Sequence, residues 1–221
     1  MNQRGIALLA GLVLLASISL LALMAASGMI MQKHMSSNFR QDMKALENSG
    51  IATFYASSWL YSRPKHERDA ACSSDCVLPV AIHSASEIPA AAEYESAAWW
   101  RDNGVEAGTN PATGEKIVSY EDSGSEPPRW IIEELHYQSL AGSGFEDGTE
   151  GLAYYRILGR GAGLHPASIA VTESIVARPW GGDYNLNEFP PGHEPTDFCA
   201  QFDDSTLPPI NCGRLAWRQR R

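Results

Sequence analysis

Hydrophobic and polar positions divide this chain at Lys33. From Ile6 to Met31 run 26 residues without a charge, behind the short polar stretch Met1-Asn2-Gln3-Arg4-Gly5. As a helix rising about 1.5 Å per residue, that run would be roughly 39 Å long, more than the ~30 Å of a bilayer core. It also exceeds the ~7–15 apolar residues of a secretory signal peptide. Ala25-Ala26-Ser27 resembles a cleavage site, yet apolar residues resume at Met29-Ile30-Met31. After Lys33 the pattern becomes two-sided. Met35, Phe39, Met43, Leu46, Gly50 and Phe54 follow at spacings of 4, 4, 3, 4 and 4, which is one helical stripe. The pattern predicts one helix from Ile6 to Tyr61, ended by Pro64. Its stripe would pack on a globular domain and its apolar half would meet other helices. Ser27-Gly28 and Ser49-Gly50 are the points where it could bend.

Beyond Pro64, residues 63–88 read as a loop. A second helix is predicted from Pro89 to Arg101: proline suits a first turn, alanine and glutamate favour helix, and Asn103-Gly104 supplies a stop. Trp99 and Trp100 near its end read as core anchors in preference to a ligand platform. Residues 102–128 are acidic and rich in turn formers, with at most a short strand at Ile117–Tyr120. Three strands are predicted next: Arg129–Tyr137, Leu152–Leu158 and Ala167–Ala177. In the third, Ile169, Val171, Ile175 and Ala177 share a face interrupted by Glu173. Glycine-rich links, including Gly159-Arg-Gly-Ala-Gly163 read as a hairpin turn, join them into an antiparallel meander.

Length and charge narrow the classes. About 160 residues follow the helix, one domain's worth. Of the chain's 17 basic residues, Arg214, Arg218, Arg220 and Arg221 lie in the last eight, which leaves 13 against 26 acidic ones. Nucleic-acid binding by the body is therefore disfavoured, and the basic tail reads as a solvated end. Four cysteines, Cys72, Cys76, Cys199 and Cys212, form an even set that behind a membrane helix points to an oxidising compartment. Three connectivities are open; the local one is Cys72–Cys76 with Cys199–Cys212, the second closing a loop worth ~3 kcal/mol in the chain-entropy model. Neither pair has zinc-knuckle spacing. The positive-inside rule slightly favours the opposite orientation, with Arg4 against Lys33, Arg40 and Lys44.

The junction Gln3-Arg4-Gly5-Ile6-Ala7-Leu8-Leu9 resembles the prepilin signal of type IV pilins and type II secretion pseudopilins. Hydropathy alone fits a plain single-span anchor equally well. The resemblance implies peptidase cleavage between Gly5 and Ile6 and methylation of Ile6, so that the apolar helix stays on the mature chain. Most pilins carry glutamate at the fifth mature position, where this chain has Ala10. A carboxylate there is costly in hydrocarbon unless it pairs, and in that family it pairs with the terminal amine of the subunit ahead. Its absence implies a tip-located or initiating minor subunit. PRWIIEEL (Pro128–Leu135), YYRILGRGAG (Tyr154–Gly163) and ASIAVTESIVAR (Ala167–Arg178) resemble PilX-type minor pilins. The resemblance covers residues 3–62 and 128–178.

It implies an α+β pilin-like roll, a long N-terminal α-helix packed on an antiparallel β-sheet. The divisions would be a 1–5 leader, a 6–62 transmembrane and assembly helix, and a 63–221 periplasmic domain. The implied role is priming type IV pilus assembly within a tip complex. Implied partners are other minor pilins, the major pilin, a PilY-type tip adhesin, the prepilin peptidase and the inner membrane. The chain would begin as a single-pass inner-membrane protein and end at the pilus tip. The alternatives are a tip-located secretion pseudopilin, whose inserted helical domain has no room here, and a membrane-anchored periplasmic binding or enzymatic domain.

Signals for chemistry are weak. Gly159–Gly163 lacks the Gly-Lys-Ser/Thr of a phosphate loop, no Gly-x-Ser-x-Gly elbow occurs, and the six histidines form no His-Glu-x-x-His pair. Asp183, Asn185, Asn187 and Glu194 match four positions of a calcium loop. However, Glu188 stands where the turn needs glycine, and Pro190-Pro191 follows, so an ordinary turn is the better reading. No enzyme activity, metal or cofactor is expected.

Overall fold

The computed structural model of the chain describes residues 4–64, 67–68, 78–120, 124–140, 149–181, 199 and 211–220. The chain falls into two units, Met1–Gln41 and Asp42–Arg221. One helix, α1 (Arg4–Tyr61), runs unbroken through Ser27-Gly28 and Ser49-Gly50. In the first unit its apolar side chains from Leu9 to Met31 are exposed. This helix is long and apolar enough to cross a membrane. Ser17 and Ser19 donate to the carbonyls of Val13 and Leu15 at 2.8 Å, so both hydroxyls are satisfied within the helix, as hydrocarbon surroundings demand.

The second unit is built on one sheet. Its strands are β1 (Ile82–His83), β2 (Val105–Glu106), β3 (Arg129–Ser139), β4 (Thr149–Ala162), β5 (Ile169–Gly181) and β6 (Gly213–Arg220). The order is β1-β3-β4-β5-β6, with β2 also on β3; β1 is parallel and the other pairings are antiparallel. The architecture is α+β, a long helix on a mostly antiparallel sheet.

Close packing of α1 on the sheet depends on residues with almost no side chain. Gly159 and Gly161 are alternate residues of β4 and so face the same way. A Cβ on Gly159 would collide with the Ser49 carbonyl and the Thr53 side chain. One on Gly161 would collide with the Ser49 amide and the Ala45 carbonyl. Ala45, Ala52 and Ala56 of α1 are fully buried against this surface. Hydrogen bonds also cross it: Asn48 Nδ2 donates to the Ala162 carbonyl at 2.7 Å, the Thr53 and Thr172 hydroxyls meet at 2.8 Å, and the Thr172 hydroxyl lies 3.3 Å from the Ser49 carbonyl. Further along α1 the seam widens to take Tyr55, Trp59 and Leu60. These pack with Trp130, Ile132, Tyr155, Ile157, Val176 and Trp180.

Two expectations are thereby corrected. Gly159–Gly163 is not the turn: β4 runs to Ala162, and the turn lies between Gly163 and Ser168, whose backbones bond at 2.7 Å. Glycine here serves close approach, not chain reversal. Nor does the Met43–Phe54 part of the predicted stripe face the sheet. Met43 is 50% and Phe54 45% exposed, with Gly50 exposed between them. Large Met and Phe side chains would hold the helix away from β4, so the small-residue face packs instead.

The other side of the sheet carries a second core, in which Ile88, Ala92, Trp100, Ile131, Leu158 and Val171 meet. The predicted helix Pro89–Arg101 is broken here into a 3₁₀ turn (Ala92–Tyr94) and α2 (Ala97–Asn103). Glu95 is extended (ψ 149°), and the Ser96 hydroxyl caps α2 by accepting the Trp99 amide at 3.1 Å. A serine N-cap starts a new helix more favourably than it continues an old one. Trp100 is fully buried, and its indole donates to the Ala92 carbonyl at 3.1 Å.

Ile117–Tyr120 is not a strand. The Ile117 and Val118 amides both donate to the Gly108 carbonyl, and β2, delivered directly after α2, takes the place on β3. Along β5 both faces are covered. Val171 joins the outer core, while Val176 and Trp180 join the helix side and Ile169 stays 46% exposed. Ile169, Val171, Glu173, Ile175 and Ala177 do alternate onto one face as predicted, and the opposite face is buried as well.

Candidate assembly surface

Three surfaces could carry function in an apolar-helix protein of this kind. The first is the uncharged helix. Gly5, Ile6 and Ala10 all lie in the first turns of α1, and Ala10 is exposed. An alanine there leaves this part of the helix without a carboxylate to pair.

The second surface is the outward side of α1 within the globular unit, together with β6. The basic C-terminal run is not a solvated tail: residues 213–220 form β6 along β5. Gly213, at φ +89°, opens the strand in a conformation that favours glycine. Arg218 and Arg220 grip the two oxygens of Glu173 at 2.7 and 2.8 Å, and Arg220 reaches Glu93 at 3.1 Å and the Ala90 carbonyl. A disulfide joins Cys199 to Cys212, immediately before the strand. Between α1 and β6 lies a groove of about 530 Å³. Gly50 and Phe54 form its helix wall, Trp217 its strand wall, and Ser174 and Val176 its floor. Sequence reasoning missed this groove, although Leu215 and Trp217 alternate as strand residues do.

The third surface is the sheet face opposite α1, which is laced by ion pairs. Arg156 meets Glu133 at 2.6 Å, Arg160 meets Glu126 at 2.6 Å, and Arg129 meets Glu106 at 3.4 Å. Each pair ties a strand to its neighbour or to a crossing loop.

One buried network lies on the helix side. Arg68 donates to both oxygens of Glu134, at 2.7 and 2.5 Å, and its guanidinium stacks 3.6 Å from the Tyr137 ring centre. The Tyr155 hydroxyl donates to Glu134 at 3.0 Å and accepts the Trp180 indole at 2.9 Å. Burial, reinforced by the neighbouring Glu134 charge, pushes the Tyr155 phenol well above its ordinary value. Burial opposes the Arg68 charge, but the bonds and charge of Glu134 outweigh it and raise the group. These residues fasten the segment after α1 to β3 and β4. They form no open site.

Among the described residues, no three His, Cys, Asp or Glu side chains gather as metal ligands. Cys72, Cys76 and the Asp183–Glu194 turn lie outside the described residues. The described residues offer surfaces for packing.

The profile of the Type IV pilus assembly protein PilX C-terminal domain matches residues 56–182, more than half of the chain. The chain belongs to the PilX family. The match runs from the packed end of α1 through β5, so the outer core and most of the helix-side core fall within the PilX domain, while Ala52, Tyr55 and β6 lie outside it. No curated protein and no solved structure matches the chain. PilX membership makes the chain a pilin of the type IV pilus assembly class. An exposed apolar N-terminal helix on a PilX domain is the arrangement of a membrane-anchored pilin.

Proposed function

We propose that this chain is a minor pilin that primes type IV pilus assembly and forms part of the complex at the pilus tip. One pairing of observations carries the reading: a PilX domain follows a 26-residue uncharged helix that has Ala10 where most pilins place glutamate. A subunit with no subunit ahead of it has no terminal amine to neutralise, and an unpaired carboxylate in hydrocarbon would cost several kcal/mol. The prepilin peptidase cuts between Gly5 and Ile6, Ile6 is methylated, and the helix waits in the inner membrane with the domain in the periplasm. Assembly then exchanges lipid contacts for packing against other minor pilins and the major pilin, and a PilY-type adhesin caps the complex. The mechanism is assembly, with no catalytic step.

Deletion of the gene tests this. Surface pili should disappear and return on complementation; normal piliation in a clean deletion would contradict the proposal.

A further inference from the structure

Charge divides the chain at the same place as its contacts. Of the 17 basic residues, Arg4, Lys33 and Arg40 lie in the first unit, Met1–Gln41, which contains no acidic residue. Asp42 is the first carboxylate in the sequence, and the second unit holds 14 basic residues against all 26 acidic ones. Lys33 stands just past the uncharged run, and Arg40 follows seven residues later. Seven residues make nearly two helical turns, so both side chains leave α1 on one face, about 10 Å apart along its axis. Ser37 lies between them on that face, and all three residues are exposed. Ser17 and Ser19, inside the run, bond back onto their own helix, whereas among the described residues the Ser37 hydroxyl takes no partner. Met35 and Phe39, 67% and 66% exposed, fall on the opposite side of the helix.

We infer that Lys33, Ser37 and Arg40 form a patch that binds the phosphate of an anionic phospholipid at the membrane surface from which α1 emerges. This goes beyond the assembly reading and rests only on α1 spanning a membrane. Reach fits this partner. Headgroups add about 5–7 Å on each side of the ~30 Å hydrocarbon core. With Met31 at the edge of the hydrocarbon, Lys33 begins in that layer. Arg40 starts about 13 Å beyond Met31 along the axis. Its side chain returns toward the layer, because helical side chains tilt toward the helix N-terminus and long basic ones extend their stems to reach polar surroundings. Charge then selects an anionic lipid over a zwitterionic one. Each basic residue near an anionic surface strengthens the attraction about fivefold, while the acidic second unit is repelled by the same lipids. An acidic protein surface shares the sign of the lipid, but only the lipid surface has its place fixed by the end of an apolar run. Met35 and Phe39 complete a two-sided segment of the kind that suits a membrane boundary.

The test uses the full-length chain in phosphatidylcholine vesicles at low salt, with a trace of spin-labelled phosphatidylglycerol or spin-labelled phosphatidylcholine. Electron spin resonance reads how much of each label the protein immobilises. A several-fold preference for phosphatidylglycerol is expected, falling to near parity in molar salt and in Lys33→Gln/Arg40→Gln. Both residues are exposed and lie outside the globular unit, so that variant should melt as the parent does. Lys33→Arg/Arg40→Lys, which keeps both charges, should retain the preference, and Arg4→Gln, at the other end of the span, should retain most of it. Ser37→Ala should lower it by a smaller factor, and an unchanged preference there would overturn the part given to the serine. Equal immobilisation of the two lipids by the parent chain would overturn the inference. So would a preference that survives Lys33→Gln/Arg40→Gln or disappears in Arg4→Gln alone. A carbodiimide cross-link from Lys33 to a carboxylate of a second copy would name an acidic protein surface instead and overturn the lipid. The assay needs no pilus, so its failure leaves the assembly reading standing, and normal piliation in a deletion strain leaves the lipid patch standing.

Discussion

The two faces of the sheet hold their covering layers by opposite means. On the helix side the contact is dry and close, and it depends on what is missing: glycines in β4 and alanines in α1. On the far side the layer is a set of loops and one short helix, anchored by Trp100 and tied down by arginine–glutamate pairs. Shape fixes a rigid element to one orientation; charges and hydrogen bonds hold loops that present few apolar side chains. For a protein whose helix continues out of the domain, the difference is consequential. The helix must be held in one register, whereas the loops need only be kept in place.

The largest effect is expected at a charged pair buried on the helix side. Glu134→Leu strands the Arg68 guanidinium, which is 2% exposed. Breaking a buried pair from one side typically costs about 3–5 kcal/mol, so urea unfolding should show a loss of that order. A loss below about 1 kcal/mol, the range of exposed ion pairs, would mean that Arg68 finds water instead. Next comes the glycine seam. Gly161→Val inserts a side chain against backbone atoms that cannot move aside, and overpacking of this kind costs about 1–3 kcal/mol or more. The same change at Gly50 should cost far less, because there is space around it. Equal losses at the two glycines would erase the distinction between the packed and open sides of α1.

Alkaline pH probes the helix side again. Burial raises the phenols of Tyr61 and Tyr155 above their ordinary 10.0. The unfolded chain would release those protons near pH 10, while the folded chain keeps them. Stability should therefore be full below about pH 10 and decline as pH rises further. In an absorbance titration these two tyrosines should ionise only as the domain unfolds. Early ionisation of every tyrosine with the fold intact would contradict their burial. The smallest effect is expected on the far face. Glu173→Gln weakens the grip on Arg218 and Arg220, but the Gln oxygen still accepts from a guanidinium and Arg220 keeps Glu93 and the Ala90 carbonyl, so the loss should stay near about 1 kcal/mol.

The sequence made some of this legible and hid the rest for physical reasons. An uncharged run of 26 residues and three β-rich segments announced α1 and β3 to β5. The packed face of α1 was hidden because Ala45, Ser49, Ala52 and Ala56 carry little hydrophobic signal beside Met43 and Phe54. Yet close approach selects the small residues. Gly159 and Gly161 looked like a turn because their spacing acquires its strand meaning only beside a helix. The strand β6 was masked by arginines that read as solvated until Glu173 and Glu93 are placed next to them. Of the candidate surfaces, the apolar helix and Ala10 were readable directly. The groove was not, because Gly50, Ser174 and Trp217 are brought together only by the fold.

The central claim is that the apolar helix stays on the mature chain and enters the fibre. Intact-mass measurement of the chain recovered from sheared, purified pili tests it most directly. The predicted mass is that of residues 6–221 plus one methyl group on Ile6. A chain that retains Met1–Gly5 and is found only in membranes, never with pili, would contradict it.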